Sequence, residues 1–223
     1  MAPIIHTVNL CKVYAVGKER VVALNDVSIS IEKGEFCCIV GQSGSGKSTL
    51  LNQLAGLEKP TRGKVFIGSH EISAMTEDEL AKFRQAHLGF IFQSYNLLPT
   101  MTAAENVALP LMFKGISRSQ RLAMARALLH DSPIYVFDEA TSNVDAESEN
   151  DIMKAIHSLA GKKTVILISH RLANVVDSDC IYVLEAGRIA EQGTHNDLLA
   201  AQGVYSRLYN AQKQLEDLGE VSA

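Results

Sequence analysis

A nine-residue, glycine-rich segment at 41–49 constrains the fold of this chain more than any other part of its sequence. The segment has the pattern G-x-x-x-x-G-K-S/T and lies between the apolar run 36–40 and the leucine-rich stretch 50–54. A buried strand, a loop and the start of a helix are the context in which this pattern forms a phosphate-binding P-loop. A glycine-rich turn without a ligand would share the bare pattern, but the flanking strand and helix favour the P-loop.

Each residue type in the segment suits the binding of a nucleoside triphosphate. The glycines let backbone N–H groups turn inward around the α- and β-phosphates, while Lys47 reaches the β- and γ-phosphates and the Ser48 hydroxyl binds Mg²⁺. The expected nucleotide-binding residues of the loop are Gly41, Ser43, Gly44, Ser45, Gly46, Lys47, Ser48 and Thr49. The sequence therefore predicts a protein that binds a nucleoside triphosphate.

Apolar runs and turn residues predict strands that alternate with helices. The predicted strands are 3–14, 21–32, 36–40, 64–68, 89–92, 134–137, 164–168 and 180–184. The predicted helices are 47–56, 76–86, 118–130 and 146–159, followed by two helices at the C-terminal end. Thr76 and Glu79 have the spacing of a capping box. This alternation predicts an α/β fold with a parallel sheet covered by helices on both faces.

Composition and charge limit the functions that are open to the chain. Its 223 residues, 47% hydrophobic and 21% charged, are typical of a soluble globular protein with a substantial core. The net charge of −4 and the lack of a long basic run argue against a nucleic-acid partner. The cysteines, Cys11, Cys37, Cys38 and Cys180, are expected to be reduced core residues, with a disulfide or metal role as the minor alternative. We expect neither a membrane span nor a secretory signal.

Polar residues end three of the predicted strands, where a P-loop fold places its catalytic groups. Asp138 and Glu139 follow 134–137 as in a Walker B strand, which we expect beside the P-loop. Asp138 would hold Mg²⁺ through water, and Glu139 would orient and deprotonate the attacking water. His170 follows 164–168 and is expected to reach the γ-phosphate, and the Gln93 amide is expected to bind Mg²⁺ and sense that phosphate. Taken singly, these residues also fit a polar strand end, a packing or capping histidine and a loop glutamine.

One aromatic residue ahead of the P-loop is a candidate for contact with the base. Tyr14 lies in the first predicted strand, and its ring is suited to stacking on adenine. Taken alone, an ordinary packed tyrosine is the alternative.

Together these motifs resemble the nucleotide-binding domain of ABC transporters in content and in order, over almost the whole chain. In that resemblance Tyr14 matches the adenine-stacking loop, Gln93 the Q-loop, 142–145 the D-loop and His170 the switch histidine. The first half is similar to the lipoprotein-release and macrolide-exporter branch. The second half is similar to exporters whose ATPases are fused to membrane domains.

The resemblance implies a RecA-like P-loop NTPase core, α/β in class, with an N-terminal antiparallel β subdomain. It implies an ATPase that binds ATP and Mg²⁺, with Glu139, His170 and Gln93 as catalytic residues and Ser48, Gln93 and Asp138 around the metal. The implied partners are a second ATP-binding domain, identical or related, and transmembrane transporter subunits. Such a protein would be cytoplasmic and peripheral on the inner face of the cell membrane.

The chain departs from the family pattern between the Q-loop and Walker B. The family has a helical subdomain and an LSGGQ signature there, but Gln93 and Asp138 are only 45 residues apart, roughly 30 fewer than the pattern implies. We therefore expect one domain in three parts: 1–93, a helical-subdomain remnant at 94–117, and 118–223. Residues 116–120 are the candidate signature, with Ser117 as a simple N-cap the alternative. The expected function is an ATPase subunit that energises transport, and the alternative is a module that binds MgATP but hydrolyses it poorly.

Overall fold

The computed structural model describes residues 3–91, 100, 132–138 and 146–220, with the side chains of 146–148 and 216–220 left out. Its N-terminal part is an antiparallel sheet, as the family resemblance implied. The strands of this sheet are β1 (Ile5–Val16), β2 (Glu19–Val27), β3 (Ser30–Ile31), β5 (Arg62–Ile67) and β6 (His70–Glu71). They lie in the order β2-β1-β5-β6, and β3 also pairs with β1.

The predicted strand 21–32 is wrong in one respect, because the structure divides it into β2 and β3. Asp26 has a φ of 61° and lies at an irregularity in the β1–β2 pairing, and β2 ends at the next residue, Val27. The segment then returns to β1 further along, where Thr7 N–H donates to the Ile29 carbonyl and Ile29 N–H donates to the Thr7 hydroxyl, both at 3.0 Å. Both β2 and β3 therefore pair with β1.

The second sheet carries the P-loop. Its strands are β4 (Phe36–Gly41), β7 (Leu88–Ile91), β8 (Ile134–Asp138), β9 (Thr164–Ile168), β10 (Cys180–Glu185) and β11 (Arg188–Gly193). In the described part of the chain they lie in the order β11-β10-β4-β9-β8-β7, and neighbours are parallel except for the β10–β11 hairpin. The predicted parallel sheet is confirmed, with one antiparallel edge strand added.

The helices begin and end close to their predicted bounds. They are α1 (Lys47–Leu54), α2 (Glu77–His87), α3 (Ala146–Leu159), α4 (His195–Ala200) and α5 (Val204–Glu220), with short 3₁₀ turns at Ile72–Ala74 and Leu172–Val175. The capping box of α2 is confirmed: Glu79 N–H donates to the Thr76 hydroxyl, and Thr76 N–H donates to the Glu79 carboxylate at 2.8 Å. The predicted helix 118–130 lies outside the described residues.

Apolar clusters cover both faces of the P-loop sheet. Alternate residues of β4 face opposite sides, so Cys37 and Ile39 join one cluster while Cys38 and Val40 join the other. The first cluster includes α1 and the N-terminal sheet, and the second includes α3 and α5. Within the residues described, no helix has the length and apolar character needed to cross a membrane. The P-loop strand thus lies in the centre of the core, which fixes the position of the loop at its end.

Candidate nucleotide-binding site

The loop between β4 and α1 has the backbone of a phosphate cradle. Gly41, Gly44 and Gly46 have φ values of 150°, 77° and 103°. A Cβ atom at Gly41 would lie 2.2 Å from the Leu184 carbonyl oxygen, and one at Gly46 would lie 2.4 Å from the Ala23 carbonyl oxygen. Both contacts are with backbone atoms, so a side chain at either position would displace the loop.

A turn from the far end of the chain supports this loop from behind. Gly187, between β10 and β11, donates its N–H to the Ser45 carbonyl at 2.9 Å and accepts from the Asn25 N–H of β2 at 2.8 Å. A Cβ atom at Gly187 would lie 2.6 Å from the Ala23 carbonyl oxygen, so glycine is required here as well. Sequence reasoning missed this support. Its only signal is the Ala186-Gly187 pair, which marks a turn but not what the turn contacts.

The N-terminus of α1 has the features expected of an anion site. Its N-cap residue is Gly46, which has no side chain to cap the helix, and its first turn carries no acidic residue. The α2 helix differs on both counts, since Thr76 caps it and its first turn is acidic. The N–H groups at the start of a helix carry partial positive charge and bind phosphates when no cap occupies them. The start of α1 therefore fits an anionic ligand.

Two further groups of the loop suit a phosphate ligand. The Lys47 side chain folds back over the loop, and its ammonium donates to the Gly41 and Gln42 carbonyls, 3.0 Å from each. Ser45 is 5% exposed, and its hydroxyl has no hydrogen-bond partner among the residues the structure describes. A cationic group and a buried hydroxyl in one loop can both donate hydrogen bonds to the oxygens of a polyphosphate.

The predicted His170 lies at the same site as the P-loop. It is exposed immediately after β9, and its side chain borders a cleft of about 260 Å³. The cleft is lined by Val21, Val22, Ala23, Ser43, Gly44, Gly46, Lys47, Ser48, Thr49 and His170. The structure therefore brings the predicted switch histidine and the phosphate cradle together, with three residues of β2 as an apolar wall.

Asp138 lies at the same edge of the sheet, but its strand is not the neighbour that we expected. Asp138 pairs in register with Ile168 of β9, and β9 in turn pairs with β4. The predicted Walker B strand, β8, is therefore separated from the P-loop strand, β4, by one strand. That strand is β9, which precedes His170. A serine hydroxyl and a carboxylate are ligands that suit Mg²⁺, so Ser48 and Asp138 fit the expected metal by their chemistry.

The remaining expected site residues fall outside the described part of the chain. These are Gln93, Glu139, the D-loop at 142–145 and the candidate signature at 116–120. Their roles stay predictions.

Tyr14 is not one of the residues that line the cleft but pairs with one that does, and its contact with a base stays a prediction. It pairs with Val21 across the β1–β2 hairpin, and Val21 lines the cleft. Its hydroxyl donates to the Glu58 carboxylate at 2.7 Å. Burial and the Glu58 carboxylate together raise the pKa of Tyr14 above its usual value, so the phenol is neutral at neutral pH.

A buried carboxylate that the sequence reasoning missed holds the segment after His170. Glu149 of α3 is 5% exposed, and it accepts hydrogen bonds from the Arg171 guanidinium and, at 2.9 Å, from the Asn174 amide. On the other side, Leu172 N–H donates to the Gln212 side chain of α5 at 3.0 Å. The backbone next to His170 is thus fixed by two helices.

Comparison with known proteins identifies relatives of this chain in sequence and in fold. The sequence pattern of the family described as ABC transporter matches residues 24–121. An uncharacterized ABC transporter ATP-binding protein of Thermotoga maritima is 36% identical over 221 residues, which cover 85% of this chain and 94% of that protein. A solved dimeric structure of the ATP-binding cassette MJ0796, in a post-hydrolysis state bound to ADP and phosphate, has a TM-score of 0.76 at 33% identity. It covers 85% of this chain and 98% of the solved chain, so both have the P-loop NTPase cassette fold.

Other relatives are considerably longer than this chain. It spans 41% of an uncharacterized ABC transporter ATP-binding protein of Haemophilus influenzae, which is 36% identical. It spans 31% of the macrolide export ATP-binding/permease protein MacB of Hyphomonas neptunium, which is 38% identical.

The alignment to the Thermotoga protein also bears on the short spacing before Walker B. It has 221 positions, whereas 85% of 223 residues is about 190, so about 30 positions of the relative have no counterpart in this chain. This number agrees with the shortfall expected between Gln93 and Asp138.

Proposed function

The chain belongs to the ATP-binding proteins of ABC transporters, a family of ATPases, and on that basis we propose that it hydrolyses MgATP to energise the transport of a substrate across a membrane. The observation that carries the proposal is the P-loop. The N-terminus of α1, without a side-chain cap, faces a cleft that also contains the Lys47 ammonium and borders His170. This is an arrangement for binding and stabilising a polyphosphate.

The proposed roles follow from where each side chain lies. The loop N–H groups and Lys47 bind the phosphates and stabilise the negative charge that develops during phosphoryl transfer. Bound Mg²⁺ would neutralise phosphate charge, with Ser48 and Asp138 as the residues that hold it. His170 borders the same cleft, and we propose that it contacts the γ-phosphate.

Three further roles rest on sequence position and neighbouring contacts. Glu139 directly follows Asp138, so it is placed to orient the attacking water and accept its proton. Gln93 would link the metal to the γ-phosphate, and Tyr14 would stack on adenine.

The proposed assembly is a pair of ATP-binding domains bound to transmembrane subunits. The MJ0796 cassette is dimeric in its solved structures, which supports a dimer for this chain. MacB is by name an ATP-binding/permease protein, so in that relative a membrane part accompanies the cassette. We place the present chain on the inner face of the cell membrane with partner subunits of that kind.

A second function is favoured by one observation: about 30 positions of the Thermotoga relative have no counterpart in this chain. We propose the division 1–93, 94–117 and 118–223, with 94–117 a remnant of the helical subdomain. In that case 116–120 stands where a glycine-rich signature would approach the nucleotide of the opposite subunit, and Arg118 and Ser119 add side chains there. Under this alternative the protein binds MgATP but hydrolyses it poorly.

Steady-state hydrolysis of MgATP against protein concentration separates the two functions. The transport ATPase predicts a rate that rises more steeply than linearly with protein, since two chains form each site, and that is lost in Glu139→Gln. The poor hydrolase predicts no turnover above Glu139→Gln in protein that still binds MgATP. Lys47→Ala is the control for binding, and a wild-type chain that binds MgATP no better than Lys47→Ala would refute both functions.

A further inference from the structure

A carboxylate outside the cleft organises the residue expected to contact the base. Glu58 lies in the connection after α1, and one of its oxygens, Oε2, accepts both from the Tyr14 hydroxyl at 2.7 Å and from the Lys12 ammonium at 3.1 Å. The other oxygen, Oε1, accepts from the Asn52 amide of α1 at 3.4 Å. The carboxylate thus connects β1, which carries Lys12 and Tyr14, to the helix that begins at the P-loop.

The surroundings of Glu58 keep it ionised and in place. Its side chain is 34% exposed, and the Lys12 side chain beside it is 15% exposed. Burial alone would raise the pKa of Glu58, but the hydrogen bonds from Tyr14 and Lys12 outweigh it and lower the pKa below its usual value of 4.5. Lys12 is itself fixed, because its ammonium also donates to the Lys59 carbonyl at 2.8 Å. An ion pair with this many partners is more ordered than a solitary surface pair.

The same contacts fix the aromatic ring. The Tyr14 hydroxyl donates to Glu58 at 2.7 Å, so the ring cannot swing away from its position without breaking this bond. The Lys12 ammonium lies 5.2 Å from the ring centroid and covers the ring from one side. A planar base would therefore have to use the other side.

We propose that Glu58 is a positioning residue for the nucleotide base: it holds the Tyr14 ring in the orientation that stacks on the base, and so raises affinity for the nucleoside part of the ligand. This inference rests on the proposed function, because it requires a nucleotide in the cleft. Glu58 touches no phosphate and is not catalytic. Its effect comes from removing the need to order the Tyr14 side chain when the ligand binds.

The test compares ligands with and without a base, by calorimetric titration of MgATP and of magnesium tripolyphosphate. Glu58→Ala should weaken MgATP binding by about 2- to 12-fold, which corresponds to the cost of ordering one side chain when the ligand binds. Glu58→Gln retains an acceptor for the Tyr14 hydroxyl and should restore part of the affinity. Tripolyphosphate binding should stay within about twofold in both variants, because this ligand has no base.

Glu71→Ala is the matched control. Glu71 has a similar exposure, 31%, and a similar ion pair, at 3.0 Å to Lys64, but no contact with Tyr14 is described. This variant should bind MgATP like the wild type.

Tyr14→Phe supplies a second and independent test. It keeps the ring but removes the hydroxyl, so Glu58→Ala should have little further effect when added to Tyr14→Phe. Additive losses would overturn the proposal, and so would equal losses of MgATP and tripolyphosphate, which would indicate general damage to the P-loop. Wild-type protein that binds neither ligand would instead refute the proposed function itself.

Discussion

Gln53 is a buried polar side chain in the apolar face of α1. It is 1% exposed, and neither its amide nitrogen nor its amide oxygen has a hydrogen-bond partner in the part of the chain that the structure describes. Its neighbours along the same helix, Leu50, Leu51 and Leu54, are fully buried apolar residues. We expect Gln53→Met to stabilise the protein, because methionine has a similar length and carries no group that needs a hydrogen bond.

The size of the effect follows from the desolvation of the amide. A buried amide without a partner costs about 1–3 kcal/mol in mutational series. Methionine and glutamine have similar helix propensities, so α1 itself should be unaffected. In a protein of about 150–250 residues, 1 kcal/mol shifts Tm by about 2–4 °C. Gln53→Met should therefore raise Tm by about 2–12 °C.

Thermal unfolding followed by circular dichroism measures this shift, with Gln85→Met as the matched control. Gln85 lies on α2 and is exposed, so the same replacement should leave Tm within about 1 °C there. A lower Tm for Gln53→Met, with an unchanged control, would show that the amide is satisfied in solution and would refute the reasoning. MgATP affinity should be unaltered, since the phosphate-binding groups lie at the other end of α1.

Three further predictions concern other parts of the molecule. Thr76→Ala removes the cap of α2, and a cap of about 1 kcal/mol corresponds to a fall in Tm of about 2–4 °C; an unchanged melt would contradict this. The Glu191 carboxylate accepts from the first two N–H groups of α5, so Glu191→Gln should lower the free energy of unfolding in urea by about 1–2 kcal/mol, and an unaltered midpoint would oppose it. Burial raises the pKa of Cys38 to about 12, so this thiol stays protonated at pH 8. Mass spectrometry after iodoacetamide treatment should find it unlabelled until the protein unfolds, whereas rapid labelling of folded protein would count against the burial.

The sequence predicted those helices and strands that are determined by residues close together in the chain. The capping box at Thr76 and Glu79 gave the start of α2, and the fully buried strands β4 and β9 follow from continuous apolar runs. The missed strands, β6 and β11, are edge strands without a buried residue, so their sequences carry no apolar pattern. The break between β2 and β3 was missed because the apolar residues Val27, Ile29 and Ile31 continue across it.

In the site, too, the features determined by neighbouring residues could be predicted, and those that depend on residues far apart in sequence could not. The P-loop glycines, Lys47 and His170 could be identified because each has a fixed place at the end of a strand. The position of β9 between the P-loop strand and the Walker B strand is a property of sheet order, which no segment of sequence states by itself. The contacts of Gly187 with Ser45, and of Glu58 with Tyr14, join residues far apart in sequence and become visible only in three dimensions.

The sheet order has a consequence for how the protein is made. β4 emerges from the ribosome well before its two neighbours, β9 and β10, which belong to residues 164–185. Pairing over such distances is slow to form and leaves strand edges exposed in the meantime. The turn at Gly187, which supports the P-loop, is translated later still. The nascent chain therefore carries the complete P-loop sequence before the strands and the turn that support it have been made, and nucleotide can stabilise this fold only after Gly187 has been translated.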